Sequence, residues 1–287
     1  MNVLSSWLRG AAMAALMSMM SFHAIADQQV SVPSLDQRNG APLQLTGHWF
    51  EAHGHGAQPA IVLLHGCSGA YNAKRELDRR MREYGKLLNG EGWHVLVLDS
   101  LAARGEKELC TQKTGTRAVT QANRRLDALG ALQWLAARPE VDAKRLVLLG
   151  WSNGGSTVLA ATNLDQRDVK TSGLKPRAAV AFYPGCEADL KRGYQPTAPI
   201  LLLVGGSDDW TPPQPCVDLA KQAGETAQIE VYPGAYHGFD STGPVRLRRD
   251  VPNGTHPGQG VHVGGDPSAR EASQKRMLEF LRKQLNG

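Results

Sequence analysis

The part of the sequence that most constrains the fold lies between Arg145 and Gly155, where an apolar run leads directly into Trp-Ser-Asn-Gly-Gly. The Leu/Val run predicts a short buried strand, and the small residues after Gly155 predict a helix. Between them, Gly150-x-Ser152-x-Gly154 matches the pattern of a sharp strand-to-helix turn that exposes a serine. Such a turn strains the backbone, so its neighbours must be nearly free of side chains. We expect Ser152 to be a nucleophile; glycines that only permit tight helix–strand packing are the alternative.

Short apolar runs without alternation recur along the chain and are separated by helical patterns, which is typical of a mostly parallel sheet with helices on both faces. The expected strands are 43–51, 60–64, 93–98, 146–150, 178–183, 200–204 and 229–232. The expected helices are 71–88, 116–137, 217–223 and 269–285, besides the one that follows the serine turn. A Gly/Pro/Arg-rich loop occupies 241–267. In such α/β folds, functional sites lie at the carboxyl ends of the strands.

Residues 1–26 have the composition of a cleavable signal peptide. Arg9 precedes a Met/Ala-rich apolar run, and Ala24-Ile25-Ala26 fits the small-x-small cleavage rule. The run is shorter than a membrane span usually requires, with an uncleaved anchor as the alternative. We therefore expect residues 27–287 to form a single domain that is periplasmic or secreted and has no stable membrane insertion.

The charge and the cysteines narrow the function classes further. The formal net charge of +5 is spread along the chain without a lysine-rich block, so we expect no nucleic-acid partner. Four cysteines in an exported chain predict two disulfides, for which three pairings are possible. No CxxC or Cys/His zinc spacing is present, and we expect no metal and no organic cofactor. The sequence leaves the oligomeric state open.

A serine hydroxyl needs a general base, and in a serine turn of this kind the base comes last in the chain. His237 directly follows a predicted strand, in a Gly/Ala/Tyr turn that would expose it. His256 and His262 lie in the Gly-rich loop and are weaker candidates. His65 precedes the serine and immediately follows a strand, so we expect it to hold a turn rather than to act as the base.

The base needs an acid that orients it. Asp208 and Asp209 both follow the strand that precedes the predicted base strand. We favour Asp208, and we expect Asp209 to be a turn or helix-cap residue. Asp240 and Glu187 are the remaining acidic candidates.

An oxyanion that forms on the substrate would need two backbone donors. The N–H of Asn153, just after the nucleophile, is the first candidate. The second should come from the turn after the early buried strand, where we favour the N–H of Cys67 over that of Ser68.

The segments that carry these candidates are HGCSG, DS-x3-RG, GWSNGG, FYPGC, GGSDDWTPP and YPGAYHGF. Together they resemble the dienelactone hydrolase family of the α/β-hydrolase superfamily, from about residue 59 to residue 239. The resemblance implies an α/β-hydrolase fold with a triad of Ser152, Asp208 and His237, and the Asp-x3-Pro spacing of the family falls on Asp208 and Pro212. The best-known members have a cysteine nucleophile, whereas this chain has a serine, which favours serine-esterase chemistry over dienelactone as the substrate.

The order of the predicted strands suggests which cysteines pair. Cys67 and Cys110 follow two strands that should be neighbours, and so do Cys186 and Cys216. We therefore expect the disulfides Cys67–Cys110 and Cys186–Cys216, at the rim of the site.

Two residues are candidates for contact with the substrate. By analogy with the arginines of the resembling family, Arg104 could bind a substrate carboxylate, with a surface salt bridge as the alternative. Trp210 follows the predicted acid and could contact the substrate. We expect a serine hydrolase that cleaves small-molecule carboxylic esters or lactones through an acyl-enzyme. A peptidase or thioesterase with the same triad, and a non-catalytic binding protein on a hydrolase scaffold, are the alternatives.

Overall fold

The computed structural model describes residues 27–286, so the predicted signal peptide, residues 1–26, lies outside the described residues. Eight strands form one sheet in the order β1-β2-β4-β3-β5-β6-β7-β8. The strands are β1 (Gln28–Arg38), β2 (Ala41–Phe50), β3 (Gln58–Leu64), β4 (His94–Asp99), β5 (Val141–Trp151), β6 (Ala178–Phe182), β7 (Ile200–Gly205) and β8 (Ala227–Tyr232). β2 runs antiparallel to both β1 and β4, and the pairings from β4 across to β8 are parallel. The mostly parallel sheet predicted from the apolar runs is confirmed.

Helices cover both faces of this sheet. They are α1 (Arg79–Asn89), α2 (Gln121–Ala136), α3 (Asn153–Thr162), α4 (Arg167–Thr171), α5 (Glu187–Arg192), α6 (Gln214–Ala223) and α7 (Pro267–Asn286). Alternate residues of each central strand enter different apolar layers, as Val62 and Leu63 do in β3. The layer of Val62 is closed by α2, α3 and α6, and the layer of Leu63 by α1 and α7. Burial on both faces explains why the strands are continuous apolar runs.

The register of the parallel strands brings their carboxyl ends to one edge. Leu64 at the end of β3 pairs with Gly150 of β5, and Gly205 at the end of β7 pairs with Tyr232 of β8. The turns that follow these strands therefore lie side by side, and they contain the candidate functional residues.

Two predicted helix starts differ from the structure by five residues or more. The helix expected from residue 71 begins at Arg79, because the side chain of Asn72 accepts hydrogen bonds from the N–H groups of Lys74 and Glu76 and holds a local turn. The helix expected from residue 116 begins at Gln121. The late loop also contains a small ribbon of β9 (Arg246–Arg248) and β10 (Val261–Val263), which the sequence did not predict.

All four cysteines are joined in two disulfides, Cys67–Cys110 and Cys186–Cys216, which are the pairings expected from the strand order. The first links the turn after β3 to the loop after the neighbouring strand β4 and closes a loop with a sequence separation of 43. By loop entropy alone, a crosslink of this span stabilises a fold by about 4 kcal/mol. None of the helices between residues 27 and 286 combines the length and apolar character that crossing a bilayer requires.

Candidate active site

Ser152 occupies the sharp turn between β5 and α3 with a positive φ of 53°. A non-glycine residue in such a conformation costs on the order of 1–3 kcal/mol, and the surrounding packing must enforce it. The two glycines of the motif are required by space. A Cβ on Gly150 would lie 2.3 Å from the carbonyl oxygen of Gly154, and one on Gly154 would lie 2.0 Å from the carbonyl oxygen of Leu64. The motif therefore folds as a strained turn that projects the serine beyond the sheet edge.

Ser152, His237 and Asp208 form a continuous hydrogen-bonded chain at the carboxyl ends of β5, β8 and β7. The Oγ of Ser152 lies 2.8 Å from Nε2 of His237, and Nδ1 of His237 lies 2.8 Å from Oδ2 of Asp208. A carboxylate only accepts hydrogen bonds, so Nδ1 carries the proton and Nε2 is left to accept one from the serine hydroxyl. The structure thus brings together the three side chains that the sequence placed after separate strands.

The carboxylate of Asp208 is held by the residues that follow it. Its Oδ1 accepts hydrogen bonds from the N–H groups of Trp210 (2.9 Å) and Thr211 (2.8 Å). Its Oδ2 accepts from the Thr211 hydroxyl at 3.0 Å and faces the His237 ring. Each oxygen of Asp208 therefore has its own partners, and the carboxyl plane is fixed against rotation.

Asp209, the other acid that follows β7, points elsewhere. Its carboxylate accepts from the N–H of His262 at 2.8 Å and lies 2.7 Å from Nδ1 of the same residue. Its carbonyl oxygen accepts from the N–H of Thr255 at 2.9 Å. Asp209 thus fastens the late loop, residues 241–267, to the turn that carries Asp208.

The remaining acidic and histidine candidates have partners other than Ser152 and His237. Glu187 forms an ion pair with Lys191 on α5 at 2.7 Å. Asp240 is fully buried behind the turn of Ser152. The carbonyl of His256 accepts a hydrogen bond within the late loop, from Gln259.

The two proposed oxyanion donors flank Ser152. α3 begins at Asn153, so the N–H of this residue belongs to the first helical turn, which has no intrahelical acceptor. Cys67 follows β3 and lines the same clefts as Ser152. Its carbonyl accepts from the N–H of Leu109 at 2.7 Å, and its sulfur is tied to Cys110, so the turn is held from both its backbone and its side chain.

A buried arginine connects these two turns. Arg124 on α2 donates to the side-chain oxygen of Asn153 and to the carbonyl of His65 at 2.8 Å. Burial lowers the pKa of Arg124 to about 10. Burial, followed by the nearby Arg124, lowers the pKa of His65 well below its usual value, so His65 is neutral. Its Nδ1 donates to Gly66 O and its Nε2 accepts from Ser100 N, in agreement with the structural role expected for it.

Ser152 lies where two clefts meet. The larger has a volume of about 1030 Å³ and the smaller about 400 Å³. Cys67 and Trp210 line both clefts, and the Trp210 ring lies 4.7 Å from that of His237. Five arginines line the smaller cleft: Arg79, Arg80, Arg246, Arg248 and Arg270. Trp210 is thus placed to contact a molecule bound at Ser152.

The expectation that Arg104 binds a substrate carboxylate is wrong. Its guanidinium donates to Asp127 at 2.8 and 2.9 Å, to Asp36 at 2.6 Å and to the carbonyl of Ser100 at 2.7 Å. Arg104 lines neither of the two clefts at Ser152. Two carboxylates already neutralise this arginine, so it stabilises the packing of β1 against α2 rather than a ligand.

Residues 47–285 match the model of the dienelactone hydrolase family. An uncharacterized protein of Mycobacterium tuberculosis is 28% identical over 209 residues, which is 68% of each chain. A candidate dienelactone hydrolase from Klebsiella pneumoniae has 18% identity and a TM-score of 0.65, with 90% of this chain and 99% of that chain covered. Esterase 2 of Thermogutta terrifontis, phosphorylated by paraoxon, has 14% identity and a TM-score of 0.61, with 90% and 94% covered. At these identities, the two solved structures establish the shared α/β-hydrolase fold.

Proposed function

The chain belongs to the dienelactone hydrolase family, and from this premise we propose that it is a serine hydrolase that cleaves carboxylic esters or lactones through an acyl-enzyme. The observation that carries the proposal is the chain of two 2.8 Å hydrogen bonds that joins Ser152, His237 and Asp208. The esterase among the solved relatives supports an ester as the substrate. An intact triad also argues against a binding protein that has lost catalysis.

In the acylation step, the Oγ of Ser152 attacks the carbonyl carbon of the ester while Nε2 of His237 takes the hydroxyl proton. The carbonyl oxygen becomes an oxyanion, which the N–H groups of Asn153 and Cys67 would stabilise. The removal of one such donor typically costs about 2.7–4 kcal/mol of transition-state stabilisation. The tetrahedral intermediate collapses as His237 gives its proton to the leaving oxygen, so that an alcohol departs and the acyl group stays on Ser152.

In the deacylation step, His237 takes a proton from water, and the resulting hydroxide attacks the acyl carbon. Collapse of the second intermediate returns the proton to the Oγ of Ser152 and releases the carboxylic acid. Asp208 keeps the proton of the neutral imidazole on Nδ1 and stabilises the imidazolium that forms in each half-reaction. With a lactone, the leaving alcohol remains part of the released hydroxy acid.

Because Ser152 lines both clefts, one cleft would receive the acyl part of the substrate and the other the alcohol part. Trp210, which lines both, would contact either part of the substrate, and we propose it as a substrate-binding residue. Its aromatic ring offers a flat apolar wall next to the reacting bond.

The test is a panel of p-nitrophenyl esters of increasing acyl length, aryl lactones, an acyl thioester and a peptide p-nitroanilide, assayed with the wild type and with Ser152→Ala. Ser172→Ala, at the end of the short helix α4, is the matched control for the loss of a serine hydroxyl. We expect ester or lactone turnover that Ser152→Ala abolishes and Ser172→Ala retains. Turnover that survives Ser152→Ala would refute the mechanism, and a preference for the thioester or the anilide would reassign the substrate class.

We also propose that residues 27–287 form a single exported domain, periplasmic or secreted, after cleavage behind Ala26. The engagement of all four cysteines in disulfides supports an oxidising compartment. Sequencing of the amino terminus of the natively expressed protein tests this proposal. We expect the mature chain to begin at Asp27, and a chain that begins at Met1 in the cytoplasmic fraction would contradict export.

A further inference from the structure

Asp240 is a carboxylate with no role in the chemistry described above, although it lies three residues after His237. Its exposed fraction is 0%, so it is completely removed from water. A buried carboxylate is costly unless charged and hydrogen-bonding partners surround it. The identity of those partners therefore indicates what Asp240 does.

Three side chains from different elements converge on this carboxylate. The indole Nε1 of Trp151 donates to Oδ2 at 3.0 Å, and the phenol of Tyr183 donates to Oδ1 at 2.6 Å. The Nε of Arg80, on α1, donates to Oδ2 at 3.1 Å. The guanidinium of Arg270, on α7, donates to the main-chain carbonyl of Asp240. Both carboxylate oxygens are thus used, and the charge of Arg80 compensates that of Asp240.

The shifted pKa values of two partners agree with this arrangement. Although burial lowers it, the adjacent Asp240 carboxylate raises the pKa of Arg80 above its usual value, so Arg80 remains a cation. Burial raises the pKa of Tyr183 well above its usual value, so its phenol keeps the proton that it donates.

Each of the two aromatic partners is attached to the triad. Trp151 is the residue before Ser152, and its side chain is fully buried. The Tyr183 ring packs edge-on against the His237 imidazole, with 4.6 Å between centroids. The Tyr183 backbone has a positive φ of 36°, and its carbonyl oxygen lies 3.1 Å from the Thr211 hydroxyl, which also lies 3.0 Å from Oδ2 of Asp208. A strained residue of this kind persists only where its surroundings hold it in place.

From these contacts we propose that Asp240 is a positioning residue, which fixes the Ser152 turn through Trp151 and the His237 ring through Tyr183. The inference rests on the proposed serine-hydrolase function. Three strand-end turns, after β5, β6 and β8, are tied to one buried carboxylate, so their relative positions depend on it. A misplacement of about 1 Å between catalytic groups can reduce the rate about 100-fold. By holding the three turns in place, Asp240 would prevent such a loss.

The experiment compares Asp240→Asn with the wild type in three measurements: kcat and KM for p-nitrophenyl acetate, the rate of inactivation by paraoxon, and the melting temperature. Asparagine keeps the shape but leaves Arg80 without a counter-charge and one donor without an acceptor. We expect kcat and the inactivation rate to fall together by about 10- to 100-fold. KM should stay within about twofold of the wild type, because the misplaced groups slow the attack of Ser152 and do not weaken substrate binding.

Asp127→Asn is the matched control. Asp127 is equally buried and paired with an arginine, Arg104, but it contacts no member of the triad. We expect it to lower the melting temperature and to leave kcat unchanged. Tyr183→Phe removes only the phenol hydroxyl and keeps the ring against His237, so it decides the question if Asp240→Asn does not fold; we expect its kcat to fall about fivefold or more.

Wild-type kcat and inactivation rates in Tyr183→Phe, or in folded Asp240→Asn, would overturn the positioning role. Ser152→Ala separates this failure from that of the proposed function. Hydrolysis that survives Ser152→Ala refutes the serine mechanism itself, whereas an inactive Ser152→Ala beside fully active Asp240 and Tyr183 variants refutes only the present inference.

Discussion

Asp208→Asn provides the sharpest test of the triad, because the structure dictates how the new amide must orient. Oδ1 of Asp208 accepts from two backbone N–H groups, of Trp210 and Thr211, so the amide oxygen of asparagine must take that position. The NH₂ group is then forced to the Oδ2 position, 2.8 Å from Nδ1 of His237. An NH₂ group can only donate, so Nδ1 must become the acceptor and the ring proton moves to Nε2.

The Nε2 of His237 would then present a proton to the Ser152 hydroxyl, which lies 2.8 Å away, and could no longer take one. The loss of the correct tautomer in a triad costs about 10⁴-fold in kcat, equivalent to about 5.4 kcal/mol of activation free energy. We expect a loss of this size with little change in KM, since Asp208 is buried behind His237 and would not touch a bound substrate.

The assay is steady-state hydrolysis of p-nitrophenyl acetate across pH, with circular dichroism to verify the fold. Asp218→Asn removes the same charge from the surface of α6 and is the control, with an expected wild-type kcat. If Asp208→Asn retains more than about a tenth of wild-type kcat, Asp208 does not set the His237 tautomer on which catalysis depends.

Three further predictions concern the turns and the cleft. Gly154→Ala should yield no active enzyme, because the new Cβ would lie 2.0 Å from the carbonyl oxygen of Leu64. A soluble variant with normal ester turnover would contradict this prediction. Replacement of Cys67 and Cys110 together by serine should lower the free energy of unfolding in urea by up to about 4 kcal/mol; an unchanged midpoint would show that the disulfide adds no stability. Trp210→Ala should raise KM for aryl esters by about fivefold, near 1 kcal/mol; equal KM values in variant and wild type would remove Trp210 from the substrate-binding surface.

The central strands could be predicted from the sequence because each is buried on both faces and appears as an unbroken apolar run. β1 could not, since it is an edge strand with many exposed polar residues, such as Gln29 and Gln37. An edge strand of this kind is paired on one side only, and its sequence is close to that of a loop. The predicted start of α1 is wrong for a different reason. Asp78 caps the helix, and the residues before it have the apolar spacing of a helix although they form a turn.

The position of each triad member after a strand was visible in the sequence, whereas the choice between Asp208 and Asp209 depended on which carboxylate the following N–H groups capture. The sequence analysis did not identify Arg124 as a residue of the site, although its position in α2 is unusual. It falls at helical spacing with Ala128, Ala131 and Leu135, which are buried, so its charge interrupts an apolar stripe. An arginine at such a position indicates a buried partner, but not which one, because the carbonyl of His65 is 59 residues away.

The contacts divide the site into two parts that meet at Ser152. The side of the two proposed oxyanion donors is held by Arg124 and the Cys67–Cys110 disulfide, whereas the side of His237 and Asp208 is held by Asp240 and Thr211. The late loop is attached to the side of His237 and Asp208, because His262 donates its N–H to Asp209 and Gly264 donates its N–H to the carbonyl of His237 at 3.0 Å; the loop also lines both clefts. Under the proposed function, substitutions of loop residues that line a cleft away from these two attachments, such as Thr242, should change which ester fits. The proposed hydrolytic apparatus would then accept different substrates through variation of those loop residues, because surface loops tolerate sequence change better than the strands and helices that hold them.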